Sequence, residues 1–150
     1  MTIGLSPVTT LTIQLGPQQV IGQTPRGLQR ISPVLSGTAV GPRLNGIVLP
    51  GGADWNLVLA DGSIEFHARY TVQADDGTLI MVTNIGLERE VMARMFAGER
   101  IDPTGPMYGR TAPCFDVSDG PHSWLSRSLF VAELRLGRPH EAVLHVHEVT

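Results

Sequence analysis

The chain has 150 residues, of which 42% are hydrophobic and 17% are charged, and its formal net charge is −3. This composition excludes a largely disordered chain, and the length predicts one domain, residues 1–150, built around a single sizeable core. The small negative charge and the lack of a basic block argue against a nucleic-acid partner. All 11 basic residues are arginine, which excludes chemistry that starts from a lysine amine.

Cysteine use and the N-terminal segment bear on the compartment. Cys114 is the only cysteine, so no intrachain disulfide can form, and we expect it to be a small core residue. The first residues lack the basic and apolar regions of a signal peptide, and no apolar run is long enough to cross a bilayer. We therefore expect a cytoplasmic protein with no membrane partner.

The first third of the chain predicts two strands with a loop between them. Residues 9–15 (TTLTIQL) are rich in β-forming side chains, and residues 31–40 resume that pattern, with Pro33 favouring an edge or a bulge. Residues 18–30 are polar and rich in turn formers. We expect them to form a mobile loop over one end of the fold.

A glycine-rich segment and a meander follow. Residues 41–55 (GPRLNGIVLPGGADW) predict two tight turns around a brief strand at 47–49. Two Asp-Gly pairs then mark hairpin turns. They predict three consecutive antiparallel strands, at residues 55–59, 63–74 and 79–83.

The last third mixes one helix with further strands. Residues 87–97 (LEREVMARMFA) predict a short helix, because Leu87, Val91 and Met95 recur at four-residue spacing and Gly98 can end it. Residues 101–113 are rich in proline and glycine and predict a loop. Further strands are expected at 114–117, 129–132 and 142–149.

Eight or more short strands with one helix predict an all-β fold, either an antiparallel barrel or a sandwich. The barrel is favoured because closure removes unpaired edges. A barrel of about eight strands has room inside for side chains or for one small ligand.

The strand at 63–74 carries a candidate acid/base group. Glu65, His67 and Arg69 share one face, because side chains alternate along a strand. If that face lines the barrel interior, it supplies a general acid or base with a neighbouring charge. If the apolar face points inward instead, these are ordinary solvent-facing residues, and alternation alone favours that arrangement.

The glycine-rich segment offers a second candidate. Asp54, held by a glycine turn beside Trp55, could be a base with a raised pKa in a dry site. From the residues alone, the favoured role is an Asx-turn or a hydrogen bond to a nearby backbone amide. Arg43 could clamp a carboxylate, phenolate or enolate oxygen, or form a structural ion pair with Asp54 or Glu65.

Metal and cofactor signals are weak. His67, His145 and His147 could bind zinc in an all-β fold, but no ligand motif of firm spacing supports this, and we expect no metal. The sequence has no phosphate-cradling glycine loop and no serine-hydrolase elbow. We therefore expect no cofactor.

Four segments together resemble a known family: GPRLNGIVLPGGADW, ARYTVQADDGTLI, GRTAPCFDV and WLSRSLFV. Over residues 9–149 the chain resembles the small bacterial and fungal proteins catalogued as domain of unknown function three-two-three-seven. The resemblance implies a calycin- or lipocalin-like antiparallel barrel and a homo-oligomer. It also implies that chemistry occurs inside the barrel, where cofactor-free ring closure or isomerisation has been attributed to relatives.

The resemblance also carries departures and shifts one expectation. His67 stands where an acidic residue is usual, Ser126 where asparagine is usual, and Gly109 where a bulkier residue is usual. If the acidic position were the base of the family, His67 could keep that role with a pKa nearer neutrality. The resemblance moves the expectation for the face of Glu65, His67 and Arg69 toward the interior.

The prediction for function is a cofactor-independent acid/base enzyme of the isomerase, cyclase or lyase type. Its substrate would be a small apolar molecule bearing oxygen, such as a phenol, an enone or a polyketide. His67 or Asp54 would move a proton beside Glu65. An arginine would stabilise the developing anion, the candidates being Arg43, Arg69 and Arg110. The other predicted substrate-binding residues are Asn45, Trp55, Tyr70, Asn84 and Trp124. The alternative is a non-catalytic barrel that carries or senses a small ligand.

Overall fold

The computed structural model describes residues 1–102 and 104–150, apart from the side chain of Phe96. Within these residues the chain forms ten strands and two short helices. The strands are β1 (Leu5–Leu15), β2 (Gln19–Thr24), β3 (Gly27–Val40), β4 (Gly46–Val48), β5 (Ala53–Val58), β6 (Ile64–Ala74), β7 (Leu79–Arg89), β8 (Tyr108–Asp116), β9 (Phe130–Leu136) and β10 (Glu141–Val149). The α-helix α1 spans Val91–Phe96, and a 3-10 helix spans Ser123–Arg127.

The strands form one antiparallel sheet that closes on itself. Neighbours follow the order β1, β10, β9, β8, β7, β6, β4 and β3, and β3 pairs back onto β1. β5 also bridges β3 and β6, and β2 pairs with β3. The result is a closed eight-strand antiparallel barrel with two extra strands, which confirms the predicted all-β barrel. The meander of β5, β6 and β7 is also confirmed.

Apolar side chains fill the barrel half that the 3-10 helix closes. Leu125 of that helix is buried there, and the rings of Phe115 and Phe130 meet edge to face with centroids 4.9 Å apart. Leu11 and Val82 complete the centre of this cluster. Burying each such side chain contributes about 1.5–3 kcal/mol, so this half supplies most of the hydrophobic stabilisation.

The predicted helix at 87–97 is too long. Residues 87–89 continue β7 and pair with residues 108–110 of β8, so only Val91–Phe96 is helical. Glu90, with φ at 73°, turns the chain between strand and helix. Glu88 is fully buried, and its carboxylate accepts the N–H groups of Val91 (2.9 Å) and Met92 (3.4 Å). The spacing of Leu87 thus matched a helix, but ladder pairing and burial of Glu88 fixed it in a strand.

Two predicted loops contain strands. Residues 18–30 include the β2–β3 hairpin, whose outer strand has few buried positions and so lacks apolar alternation. Residues 101–113 include the first part of β8, where Gly109, Thr111 and Pro113 are the inward residues. Glycine, threonine and proline at these inward positions do not give the alternating apolar pattern that is typical of a strand. The same alternation places Cys114 outside, so the expectation of a core cysteine is wrong.

Within the described chain, neither helix is long and apolar enough to cross a membrane.

Candidate functional site

The face of Glu65, His67 and Arg69 lies on the outside of the barrel. The side chains of His67 and Glu65 are 53% and 42% exposed, and His67 Nε2 lies 3.9 Å from Glu65 Oε2. Tyr70 and the other alternate residues of β6 face inward instead. The expectation that the polar face lines the interior is wrong, because burying the apolar face removes more hydrophobic surface from water.

Three predicted residues meet on that outer surface. Glu65, His67 and Arg110 border a shallow, open depression whose floor includes Ile85 and Val131. Trp55, 49% exposed, also points outward and is not a wall of the interior. Arg69 is exposed on the same face of β6.

Arg43, Trp124 and Asn45 lie at the apolar end of the barrel. The Arg43 guanidinium bonds Glu148 and stacks 3.8 Å from the centre of the Trp124 ring. Asn45 accepts the N–H of Gly41 (3.0 Å) and donates to its carbonyl (2.8 Å), which holds a turn. These contacts hold this end of the barrel together.

A polar cluster occupies the interior of the opposite half. It begins where β3 and β5 pair, with Ser32 opposite Asp54 and Arg30 opposite Asn56. Arg30, Ser32 and Asn56 are all buried. Since residues two apart on a strand share a face, Asp54 lies on the same inward side as Asn56.

Local strand pairing sets the position of Asp54. The register of β5 and β6 passes from Asp54 opposite Ala68 directly to Leu57 opposite Glu65. Between these two pairs, the backbone N–H of His67 donates a hydrogen bond to Asp54 Oδ1 at 2.9 Å. The carboxylate therefore takes the place of a ladder acceptor, and Asn56 Nδ2 donates to its second oxygen, Oδ2, at 3.2 Å.

Burial raises the pKa of Asp54 to about 6. The two hydrogen bonds from His67 N–H and Asn56, and the charges of the His67 and Arg30 side chains, oppose that rise. Desolvation therefore outweighs every stabilising contact of the ionised form. A carboxylate with this pKa is mostly ionised at neutral pH but remains a stronger base than an ordinary aspartate.

Three further interior residues carry polar atoms that lack a hydrogen-bond partner among the described residues. The atoms are Tyr70 Oη, Asn84 Oδ1 and Thr111 Oγ1, each buried. Asn84 lies opposite Ala68, the residue that faces Asp54, and Thr111 lies opposite Gly86 on the next strand. Burial and the negative charge of Asp54 both raise the pKa of Tyr70, so its hydroxyl stays protonated. Buried polar groups are normally bonded, so this arrangement fits a site that another molecule completes.

Some of the residues around Asp54 are only partly buried. Phe66 and Ala68 face inward and contact the core, yet both retain accessible surface, as does Asp54 itself. This half of the barrel is thus less completely buried than the half around Leu125.

The structure brings together three predicted residues, Asp54, Tyr70 and Asn84. Four more share their interior face although sequence reasoning missed them: Arg30, Ser32, Asn56 and Thr111. The period-two spacing of Arg30 with Ser32, and of Asp54 with Asn56, is the signal that could have found the first three. Thr111 has no such signal, because it lies in a stretch that reads as a loop.

A search of the described residues finds no three His, Cys, Asp or Glu side chains placed to hold a metal ion. His145 lies within 3.1 Å of the Thr10 hydroxyl on the β1–β10 surface. His67 is on β6, away from that pair of strands.

The fold and the interior cluster define a class of protein: a small closed β-barrel with a polar, incompletely bonded site at one end. The family model described as "Protein of unknown function (DUF3237)" matches residues 3–149, and the chain belongs to this family. The resemblance seen in the sequence is thereby confirmed.

Relatives share the whole fold. A UPF0311 protein of Clostridium acetobutylicum is 35% identical over 128 residues, which cover 83% of this chain and 80% of that protein. The crystal structure of a protein of unknown function from Rhodopseudomonas palustris superposes with a TM-score of 0.91 at 32% identity, covering 100% and 99% of the two chains. A structure described as an enzyme from Penicillium herquei has a TM-score of 0.75 at 21% identity, covering 100% and 96%, and shares the fold.

Proposed function

We propose that the protein is a cofactor-independent acid/base enzyme that acts inside the barrel on a small, largely apolar molecule bearing oxygen. The reaction would be an isomerisation, a cyclisation or an addition to an activated double bond. The observation that supports this most directly is the buried carboxylate of Asp54 beside three buried polar atoms, Tyr70 Oη, Asn84 Oδ1 and Thr111 Oγ1, that have no partner among the described residues.

Asp54 would act as the general base. Its pKa of about 6 leaves it ionised at neutral pH and able to accept a proton from a substrate O–H or acidic C–H. Returning that proton to another atom of the same molecule completes an isomerisation or ring closure with no net loss of atoms. The reaction then needs no redox partner.

The unpartnered atoms specify what the substrate must offer. Asn84 Oδ1 can only accept, so it would bind a substrate hydroxyl. The hydroxyls of Tyr70 and Thr111 can donate, so they would stabilise a developing enolate or phenolate oxygen in a poorly hydrated space. These two residues take the role first predicted for Arg43, Arg69 and Arg110, which lie outside the interior cluster.

A binding barrel without catalysis is the second candidate, because three unpartnered atoms require only a ligand. The fold neighbour from Penicillium herquei, described as an enzyme, supports catalysis in a barrel of this shape but says nothing about this chain's residues. That the protein is a cytoplasmic homo-oligomer remains a prediction from the sequence.

Turnover of a panel of phenols and conjugated enones, followed by mass spectrometry, tests the proposal. We expect kcat/KM to rise with pH through about 6, where Asp54 loses its proton. Asp54→Asn should lower turnover by roughly 10²–10⁴-fold, the usual contribution of a general base.

His67→Ala is the matched control, because its imidazole lies outside the barrel while its backbone N–H is unchanged. It should retain most of the activity. Wild-type turnover in Asp54→Asn would refute the mechanism, and recovery of every bound compound unaltered would favour the carrier.

A further inference from the structure

Asn56 connects Asp54 to the buried Arg30 through hydrogen bonds on both sides of its amide. Its Oδ1 accepts from Arg30 Nε at 2.8 Å. Its Nδ2 donates to Asp54 Oδ2 and to Ser32 Oγ, each at 3.2 Å. Only 2% of the residue is exposed, so water cannot substitute for these partners.

Arg30 determines which way the amide of Asn56 faces. A guanidinium can only donate hydrogen bonds, so the oxygen of the amide must point toward it. The NH₂ group is then left facing the carboxylate. The reversed amide would set donor against guanidinium and oxygen against carboxylate, which is two repulsive contacts in a buried site.

We propose that Asn56 is a positioning residue that, oriented by Arg30, holds the Asp54 carboxylate in one arrangement toward the space beside Ala68. Asp54 Oδ1 is fixed by the His67 backbone N–H, so the amide of Asn56 supplies the second anchor. With both oxygens held, rotation of the carboxylate about its terminal bond is blocked. The remaining lone pairs are then directed at whatever occupies the interior.

The chain of hydrogen bonds extends to the connection between β1 and β2. Gln18 Nε2 donates to Ser32 Oγ at 3.3 Å, so Ser32 accepts from both Gln18 and Asn56. The segment before β2 is thereby coupled to the orientation of the site.

The charged and titratable groups that act on Asp54 come from two strands. Arg30 of β3 and His67 of β6 act through their charge, and Tyr70 of β6 is coupled to the Asp54 charge. Of the side chains that contact Asp54, Asn56 donates the hydrogen bond and titrates at no accessible pH. Replacing it with serine therefore tests this one contact without changing the charge of the cluster, whereas replacing it with aspartate adds a charge beside Asp54.

The inference rests on the proposed role of Asp54 in proton transfer, but its test needs no substrate. We would follow the side-chain carboxyl carbon of Asp54 by ¹³C NMR during a pH titration of the full chain, with Asp54→Asn to assign the signal. Asn56→Asp keeps an acceptor for Arg30 and places a second carboxylate beside Asp54. We expect the Asp54 midpoint to move up by at least about one pH unit.

Asn45→Asp is the matched control, because it makes the same change in an exposed turn amide at the other end of the barrel. It should leave the midpoint within about 0.2 units, since a distant exposed charge is screened. Asn56→Ser is the second variant, in case the charged one does not fold. It keeps a polar group near Arg30, loses the amide donor, and should raise the midpoint less.

An unchanged Asp54 midpoint in a folded Asn56 variant would overturn the positioning role. Such a result would leave the proposed reaction standing, because wild-type turnover is measured separately. A shifted midpoint in a protein that turns over no substrate would support the inference and count against the enzyme.

Discussion

Burial raises the pKa of Asp54 from 3.8 to about 6, so the folded protein holds this proton more tightly than the unfolded chain does. Between those two values the folded state binds more protons, and the free energy of unfolding falls as pH rises. A shift of this size corresponds to about 3 kcal/mol lost by pH 8. The residue that would move the proton is therefore also one that destabilises the fold at neutral pH.

Asp54→Asn should remove that pH dependence. We expect the free energy of unfolding of the variant minus that of wild type to be about 2–3 kcal/mol larger at pH 8 than at pH 4. The reason is that Asp54 ionises between these two pH values and the asparagine does not. Urea denaturation at both pH values measures it. Any effect of the asparagine amide on packing changes the free energy of unfolding equally at both pH values, so it cancels in the difference. Parallel stability curves for the two proteins would mean that Asp54 titrates like a surface carboxylate.

At the scale of elements, the glycine-rich segment sets β4 and β5 close against β6. A side chain at Gly46 would meet the Gln73 carbonyl at 2.1 Å, and one at Gly52 would meet the Arg69 carbonyl at 2.3 Å. Gly51, with φ at +108°, makes the turn between them. The segment therefore brings Asp54 to its place in the ladder two residues after Gly52.

Gly52→Ala should test that dependence. The added methyl group cannot fit without moving β5 from β6, so we expect a loss of about 1–3 kcal/mol in unfolding free energy. Gly16→Ala is the control, because its methyl group would meet only the end of the Leu35 side chain at 3.2 Å. Chemical denaturation of both variants gives the comparison, and equal stabilities would show that the β5–β6 contact can relax.

Sequence reasoning found the elements whose residues carry local signals. The Asp-Gly turns at 61–62 and 76–77 predicted the meander. The glycine turn before Asp54 marked that carboxylate as a candidate base, although the residues alone favoured a bond to a backbone amide, which Asp54 does accept from the His67 N–H. Sequence reasoning missed β2 and half of β8, because their inward or paired residues are not apolar. The family resemblance moved the expectation for the polar face of β6 toward the interior, whereas alternation alone had favoured the exposed arrangement that the structure shows.

At the scale of the whole molecule, the two halves of the barrel do different work. The half closed by the 3-10 helix is filled with apolar side chains, among them Ala39 of β3, opposite Leu11. The other half contains the polar cluster, where Ala68 faces inward but keeps accessible surface. Close packing tolerates added volume only where space exists.

The same substitution in each half should therefore have opposite consequences. Ala39→Val adds two methyl groups to a filled core and should cost about 1–3 kcal/mol in unfolding free energy. Ala68→Val lies directly opposite both Asp54 and Asn84, where Ala68 keeps accessible surface and a branched residue suits a strand. We expect a stability change below about 1 kcal/mol there, together with loss of ligand binding or turnover. Denaturation curves and the enone panel measure the two effects, and a destabilised Ala68→Val that still binds its ligand would place the ligand elsewhere in the barrel.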